Sequence, residues 1–160
     1  MLPLIAVLPF RAMNADSIEA SASDAALGDW LAEEVCRSLC RSNLIAVISH
    51  WSSRALDHRT VDVTTVRSRL AADYCVAGTM RVHRGEIILD ADFVDTVSGR
   101  ILWTRQFAGR ASDYLGRCSE GVVEIVRAIG GTLADDAIKH VAGQCCPRHC
   151  PLDFLAGRFS

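Results

Sequence analysis

The sequence predicts an α/β protein built on one mixed parallel and antiparallel sheet of five strands, in the order β-α-β-α-β-β-β-α, with helices against the sheet. Two observations predict this class. Short apolar runs at residues 4–8 and 44–48 are separated by a stretch of helical spacing, as in parallel strands joined by a crossover. From residue 74 to residue 107 the apolar spacing changes to every second residue and is broken by two turn signals, as in an antiparallel meander.

The first strand rests on Leu4-Ile5-Ala6-Val7-Leu8, bracketed by Pro3 and Pro9. Prolines suit the borders of a strand and break a helix. The rival reading is a secretory signal, with Ala20-Ser21-Ala22 imitating a cleavage site. A signal needs a basic head, and no basic residue precedes Arg11. Residues 11–26 are small and polar and read as a loop. A helix is expected to start near Asp24 or Gly28-Asp29, with Asp29 the candidate N-cap and Trp30, Leu31, Val35 and Leu39 at helical spacing. Cys36 and Cys40 fall on one face of it and read as core. Ser42-Asn43 ends that helix. The second apolar run follows, and residues 49–59 form a polar connection. Asp62 then opens a shorter helix, with Val63, Val66 and Leu70 on one side.

In the meander, Ile87, Leu89, Ala91 and Phe93 alternate with Glu86, Ile88, Asp90 and Asp92. Arg84-Gly85 and Ser98-Gly99 are the two turn signals. Ile101, Trp103 and Phe107 are expected on the apolar face of the last strand. From Ser112 the spacing is helical again, and Gly130-Gly131 inside that stripe is expected to kink or split the helix. After Gly143 the period is lost and two prolines appear. The expected organisation is one domain over residues 1–143 and a tail or linker start over 144–160.

A chain of 160 residues, 50% hydrophobic and 22% charged, is long enough to bury a core. Seventeen basic residues against nineteen acidic ones give a net charge of −2, so direct binding of nucleic acid is not expected. No apolar run reaches the roughly 18 residues of a membrane span, and no membrane role is expected. The seven cysteines are odd in number and mostly sit in regular pattern, so the thiols are expected reduced and the protein cytoplasmic.

Four constellations carry candidate chemistry. Cys145, Cys146, His149 and Cys150 place four soft ligands within six residues. Adjacent thiols do not easily turn to one ion, so these four are the metal candidates of a tail read as carrying free thiols. Ser49-His50, Asp57-His58 and Asp62 cluster after the second strand. A hydrolytic set there lacks a nucleophile elbow. The plainer reading is a solvated loop at the C-terminal end of a strand, where open sheets take ligands. Arg11, Ser49, His50 and Arg54 are the expected rim of any ligand cleft. Asp90, Asp92 and Asp95 alternate on one strand and are expected to pair with Arg81, Arg100 or Arg105. No phosphate-cradling glycine loop occurs, and no catalytic residue, metal or other cofactor is expected.

The ordered matches "IAVLPF", "LIAVISHWSS" and "LAADYCVAGTMRVHRGEIILDADFVDTVSGRILWTRQF" resemble the TolB amino-terminal-like domain over about residues 4–141. That domain accompanies bacterial adenylate/guanylate cyclases with tetratricopeptide repeats, and transcriptional regulators with a winged-helix module. The resemblance implies an anticodon-binding-like α/β fold and a non-catalytic regulatory domain. Its partners would be the other domains of its parent protein, or a second copy paired through a sheet edge. The alternatives are a small hydrolase using Ser49, His50 and Asp57, or an exported envelope protein.

Overall fold

The computed structural model describes residues 2–13, 22–56, 62–116 and 119–144. The chain divides into two units, residues 1–126 and 127–160. The first unit holds the whole sheet. Strand β1 (Leu4–Val7) lies between β3 (Ala46–Val47) and β4 (Tyr74–His83), parallel to both. β4, β5 (Glu86–Asp95) and β6 (Arg100–Arg110) form the antiparallel meander, so the order is β3-β1-β4-β5-β6. The mixed α/β class is as the sequence predicts, with one strand added. Residues 11–26 are not all loop, because β2 (Arg11–Met13) pairs parallel with β4 beyond the end of β1. Three residues with only the middle one half-buried carry no readable alternation.

Both faces of β1 are covered, which is why its run is continuously apolar. Ile5, Ala6 and Val7 are fully buried, and Pro9 stands where the strand has ended. On the face of Ile5 and Val7, the meander contributes Val76, Met80, Ile87, Leu89, Ala91 and Phe93, all fully buried. Helix α1 (Ala22–Leu39) packs against β1, β2 and β4. It comes close enough that a Cβ on Gly28 would collide with the Phe10 carbonyl oxygen. Of the two starts that the sequence offers, the helix takes the earlier: it begins at Ala22 with Asp24 in its first turn, extended by alanines, and Asp29 is not its cap. Asp29, inside the helix, pairs with Arg54 at 3.3 Å.

The opposite face is covered by a second cluster of Ala6, Leu8, Leu56, Val66, Ala72 and Cys75. Val66 comes from α3 (Val63–Leu70), which begins on Asp62: its carboxylate accepts from the Thr65 N–H at 2.7 Å. The same residue holds the Asp62 carboxyl below its ordinary range through these hydrogen bonds. The polar connection expected at 49–59 contains a further short helix, α2 (His50–Arg54). Leu44, expected in the second strand, is 75% exposed.

The turns behave as their residues predict, with Arg84, Gly85 and Gly99 at positive φ. Ile101 does not lie on the buried face; it is 60% exposed. The register skips a residue between its pair with Val94 and the Trp103–Phe93 pair, so Ile101 and Trp103 leave the common face. A 3-10 turn follows at Ala111–Asp113, before α4 (Glu120–Gln144). Tyr114 is buried, and its ring fills space that Gly109 and Gly121 leave open by having no side chain. Val122 and Ile125 are fully buried. The described part of the second unit is the rest of α4, residues 127–144. The expected break at Gly130-Gly131 is absent: the helix runs through, and a Cβ at either glycine would meet open space. No described helix is long and apolar enough to cross a membrane.

Candidate functional site

A groove of about 400 Å³ opens where β3 ends and α2 begins. One wall is α1, through Glu33, Cys36, Arg37 and Cys40. The other is the segment Val47 to Trp51. Ser49 turns the chain there: its hydroxyl oxygen accepts from the Trp51 N–H at 3.2 Å and caps α2. That cap leaves the Trp51 indole 75% exposed at the mouth, with the His50 ring edge-on at 6.3 Å. Of the expected rim, Ser49 and His50 line the groove, and Arg54 reaches across to Asp29 of α1. Arg11 is not in the lining; it projects from β2, which is paired further along the sheet at Thr79. Asp57, Cys145, Cys146, His149 and Cys150 lie outside the described residues.

The groove chemistry is that of contact. Arg37 is held by Glu33 at 2.5 Å and reaches Glu34 at 3.5 Å. Burial, reinforced by Cys40 and Glu33, pushes the Cys36 thiol up to about 12. At neutral pH it is a protonated, weakly nucleophilic group. The two helix cysteines do not share one environment, contrary to the expectation that both are core. Cys36 is buried and Cys40 is exposed, because a one-turn step along a partly covered helix carries the second beyond its cover. Among the described residues, His50 Nδ1 in the lining, and Glu34 Oε1 and Ser53 Oγ on the same two helices, are buried without a hydrogen-bond partner. Trp51 went unnoticed in the sequence, where one aromatic among polar residues carries no periodic signal.

The second surface is the outer part of the meander. Asp90 accepts from Arg81 at 3.4 Å and from the Gln106 amide at 2.9 Å. Asp92 accepts from the Thr104 hydroxyl at 2.7 Å. Asp95 caps its own turn through the N–H groups of Val97 and Ser98. The expected pairing therefore holds for Arg81. Arg100 and Arg105 take no part in an ion pair among the described residues: Arg105 lies across from Ala91, on the face away from Asp90 and Asp92, and Arg100 lies across from Asp95, whose carboxylate is engaged in its own turn. Arg105 lies over the Trp103 ring, 5.2 Å from its centroid. Among the described residues no three His, Cys, Asp or Glu side chains are grouped to hold a metal ion.

No family model matches the chain. Over 127 residues it is 28% identical to a protein of Rhizobium meliloti (strain 1021) named "Putative adenylate cyclase 3". The match covers 79% of this chain and 21% of that protein, so the chain spans about a fifth of the curated relative's length. Among solved structures, TolB from Acinetobacter baumannii superposes with a TM-score of 0.58 at 16% identity, over 83% of this chain and 28% of that one. Protein XCC0632 from Xanthomonas campestris gives 0.56 at 15% identity, over 86% and 89%. Lipoprotein GNA1162 from Neisseria meningitidis gives 0.50 at 14% identity, over 83% and 99%. The fold is thus similar to that of TolB.

Proposed function

We propose that this domain acts by binding and not by catalysis, as the partner- or ligand-sensing part of a longer bacterial signalling protein with a cyclase output. The observation that carries this reading is the sequence likeness itself: most of this domain corresponds to a minor part of a much longer protein named as a cyclase. The groove supports it, since Ser49 is engaged as a helix cap and Cys36 is protonated at neutral pH. In this reading the chain needs no metal or other cofactor of its own.

Two measurements test it. An immunoblot of source cells with an antibody against this domain is expected to show a product well above 17.4 kDa. A native product of that mass would remove the attached output. The purified chain, given ATP or GTP with Mg²⁺ or Mn²⁺, is expected to release no cyclic nucleotide; turnover would make it an enzyme.

A second reading, an exported envelope protein, is favoured by the likeness to a structure named as a lipoprotein. Cleavage after Ala22 would remove β1, which hydrogen-bonds to both neighbouring strands, so an exported form would have to keep residues 4–7. Cell fractionation separates this reading from a cytoplasmic location.

A further inference from the structure

β6 is the outermost strand of the meander and, among the described residues, pairs only with β5. It is 11 residues long, and Thr104, Arg105, Gln106 and Ala108 are exposed. A long open edge presents unpaired backbone N–H and C=O groups to any extended chain. What distinguishes this edge is its charge. Arg100, Arg105 and Arg110 are spaced evenly along β6, which contains no acidic residue. None of the three takes part in an ion pair among the described residues.

That pattern decides between occupants. The antiparallel register of two β6 strands centred on Arg105 sets Arg105 against Arg105 and brings Arg100 of one strand within one residue of Arg110 of the other. Like charges directly opposite are destabilising, and no register of β6 on itself yields an opposite-charge pair. The β5 carboxylates do not reverse the sign. Asp90, Asp92 and Asp95 are already hydrogen-bonded, as given above. They and Glu86 also lie one strand further in, about 10 Å from an added strand against about 5 Å for the arginines. At that separation exposed charges are largely screened at ordinary ionic strength.

We propose that β6 is a strand-addition site for an acidic, extended peptide segment of a partner, and that its arginines turn away a second copy of this chain. The inference rests on the reading of this domain as a binding module and names the partner's chemistry. The spacing specifies more. Arg105, across from Ala91, faces one side of the sheet with Trp103 and Phe107 two residues to either side; the register skip turns Arg100, across from Asp95, to that same side, and Arg110, across from Glu86, faces the other. A regular strand meets Arg110, Arg105 and Arg100 at its first, sixth and tenth residues, as β5 does, so the matching segment carries carboxylates there, with the sixth flanked at two residues' distance by apolar side chains. Trp103 adds a buried indole N–H without a protein acceptor, under the Arg105 guanidinium. An incoming carboxylate that draws Arg105 off the ring would expose this donor.

The probe is a 10-residue capped peptide with Glu at positions 1, 6 and 10, Val at 4 and 8 and Thr elsewhere. The expected result is binding that weakens with salt, and slower amide exchange in residues 100–110 but not in the α1–α2 groove. The same peptide with Lys in place of Glu should bind roughly tenfold more weakly, and Arg105→Glu should reverse that preference. Sedimentation should show a monomer. Overturning results are equal affinity for the two peptides, protection confined to the groove, preferential binding of an oligonucleotide, or a dimer dispersed by Arg105→Glu. Protection confined to the groove would defeat the edge assignment and leave the binding-module reading intact. Cyclic-nucleotide turnover by the chain would defeat that reading instead.

Discussion

Two corners of the sheet are built on opposite terms. At the start of β4 a dense set of hydrogen bonds joins distant parts of the chain. The Asp73 carboxylate accepts from the Leu4 N–H at 3.0 Å and from Arg67 at 2.9 Å. Its own N–H donates to the Leu4 carbonyl at 2.7 Å. The Ala72 carbonyl takes a hydrogen bond from the buried Thr96 hydroxyl and another from Arg67. Ala71 sits at φ 53 to end α3, a left-handed position that this network holds. Together these bonds tie β1, α3, β4 and the β5–β6 turn. The groove between α1 and α2 is the reverse, with buried polar atoms unpaired and a large indole in solvent. A saturated corner fixes the fold, whereas an unsaturated one leaves groups to be completed by something else.

Alkaline pH probes both corners at once. Burial pushes Cys75, in the cluster beside the saturated corner, and Cys36, in the groove wall, from 9.0 to about 12. The unfolded chain then ionises first, so these thiols contribute stability below pH 9 that is lost as pH rises toward 12. At pH 10 the loss is about 1.4 kcal/mol per thiol. Burial also raises Tyr114, which acts in the same direction. Urea melts at pH 8 and pH 10 should show Cys75→Ala with a flatter pH dependence than the unmodified chain. An unchanged slope would mean that water reaches the cluster.

Asp73→Ala removes two charge-assisted hydrogen bonds, one of them to a half-exposed arginine, and should cost about 2 kcal/mol in denaturant unfolding. Thr96→Val keeps the shape and deletes one buried hydrogen bond, for an expected loss of about 1–2 kcal/mol. If either loss is below about 0.5 kcal/mol, the contrast between the corners fails. In the groove the sign should change. Ser53→Ala removes a buried hydroxyl that has no partner, so it should be neutral or stabilising by up to about 1 kcal/mol. A destabilisation would show that the hydroxyl is satisfied in solution. The smallest effect expected is Trp51→Ala, within about 0.5 kcal/mol by thermal melting, because the indole is mostly in solvent.

The readable parts of the chain are those in which local chemistry and tertiary position agree. The β4–β6 meander was legible from alternation and from Arg84-Gly85 and Ser98-Gly99. α3 was legible from Asp62, whose cap acts within a single turn of chain. β2 and α2 were not, being too short for any period to develop. Their existence depends on β4 offering an edge beyond β1, and on Ser49 capping a turn beside α1. For α1 the sequence offered starts near Asp24 and at Asp29, and the second fails because Asp29 has the right side chain for a cap but pairs with Arg54, a residue distant in sequence.

For the candidate site, the sequence by itself placed Ser49 and His50 at the end of a parallel strand. That followed from strand direction alone. It set a continuously apolar run at residues 4–8, which has a place only in the middle of a sheet. Only the tertiary structure decided that Arg11 lies apart from the groove, that Cys40 is exposed while Cys36 is buried, and that three arginines line an open edge. Periodicity fixes which residues share a face. Which face is covered, and which strand ends the sheet, follows from packing between elements distant along the chain.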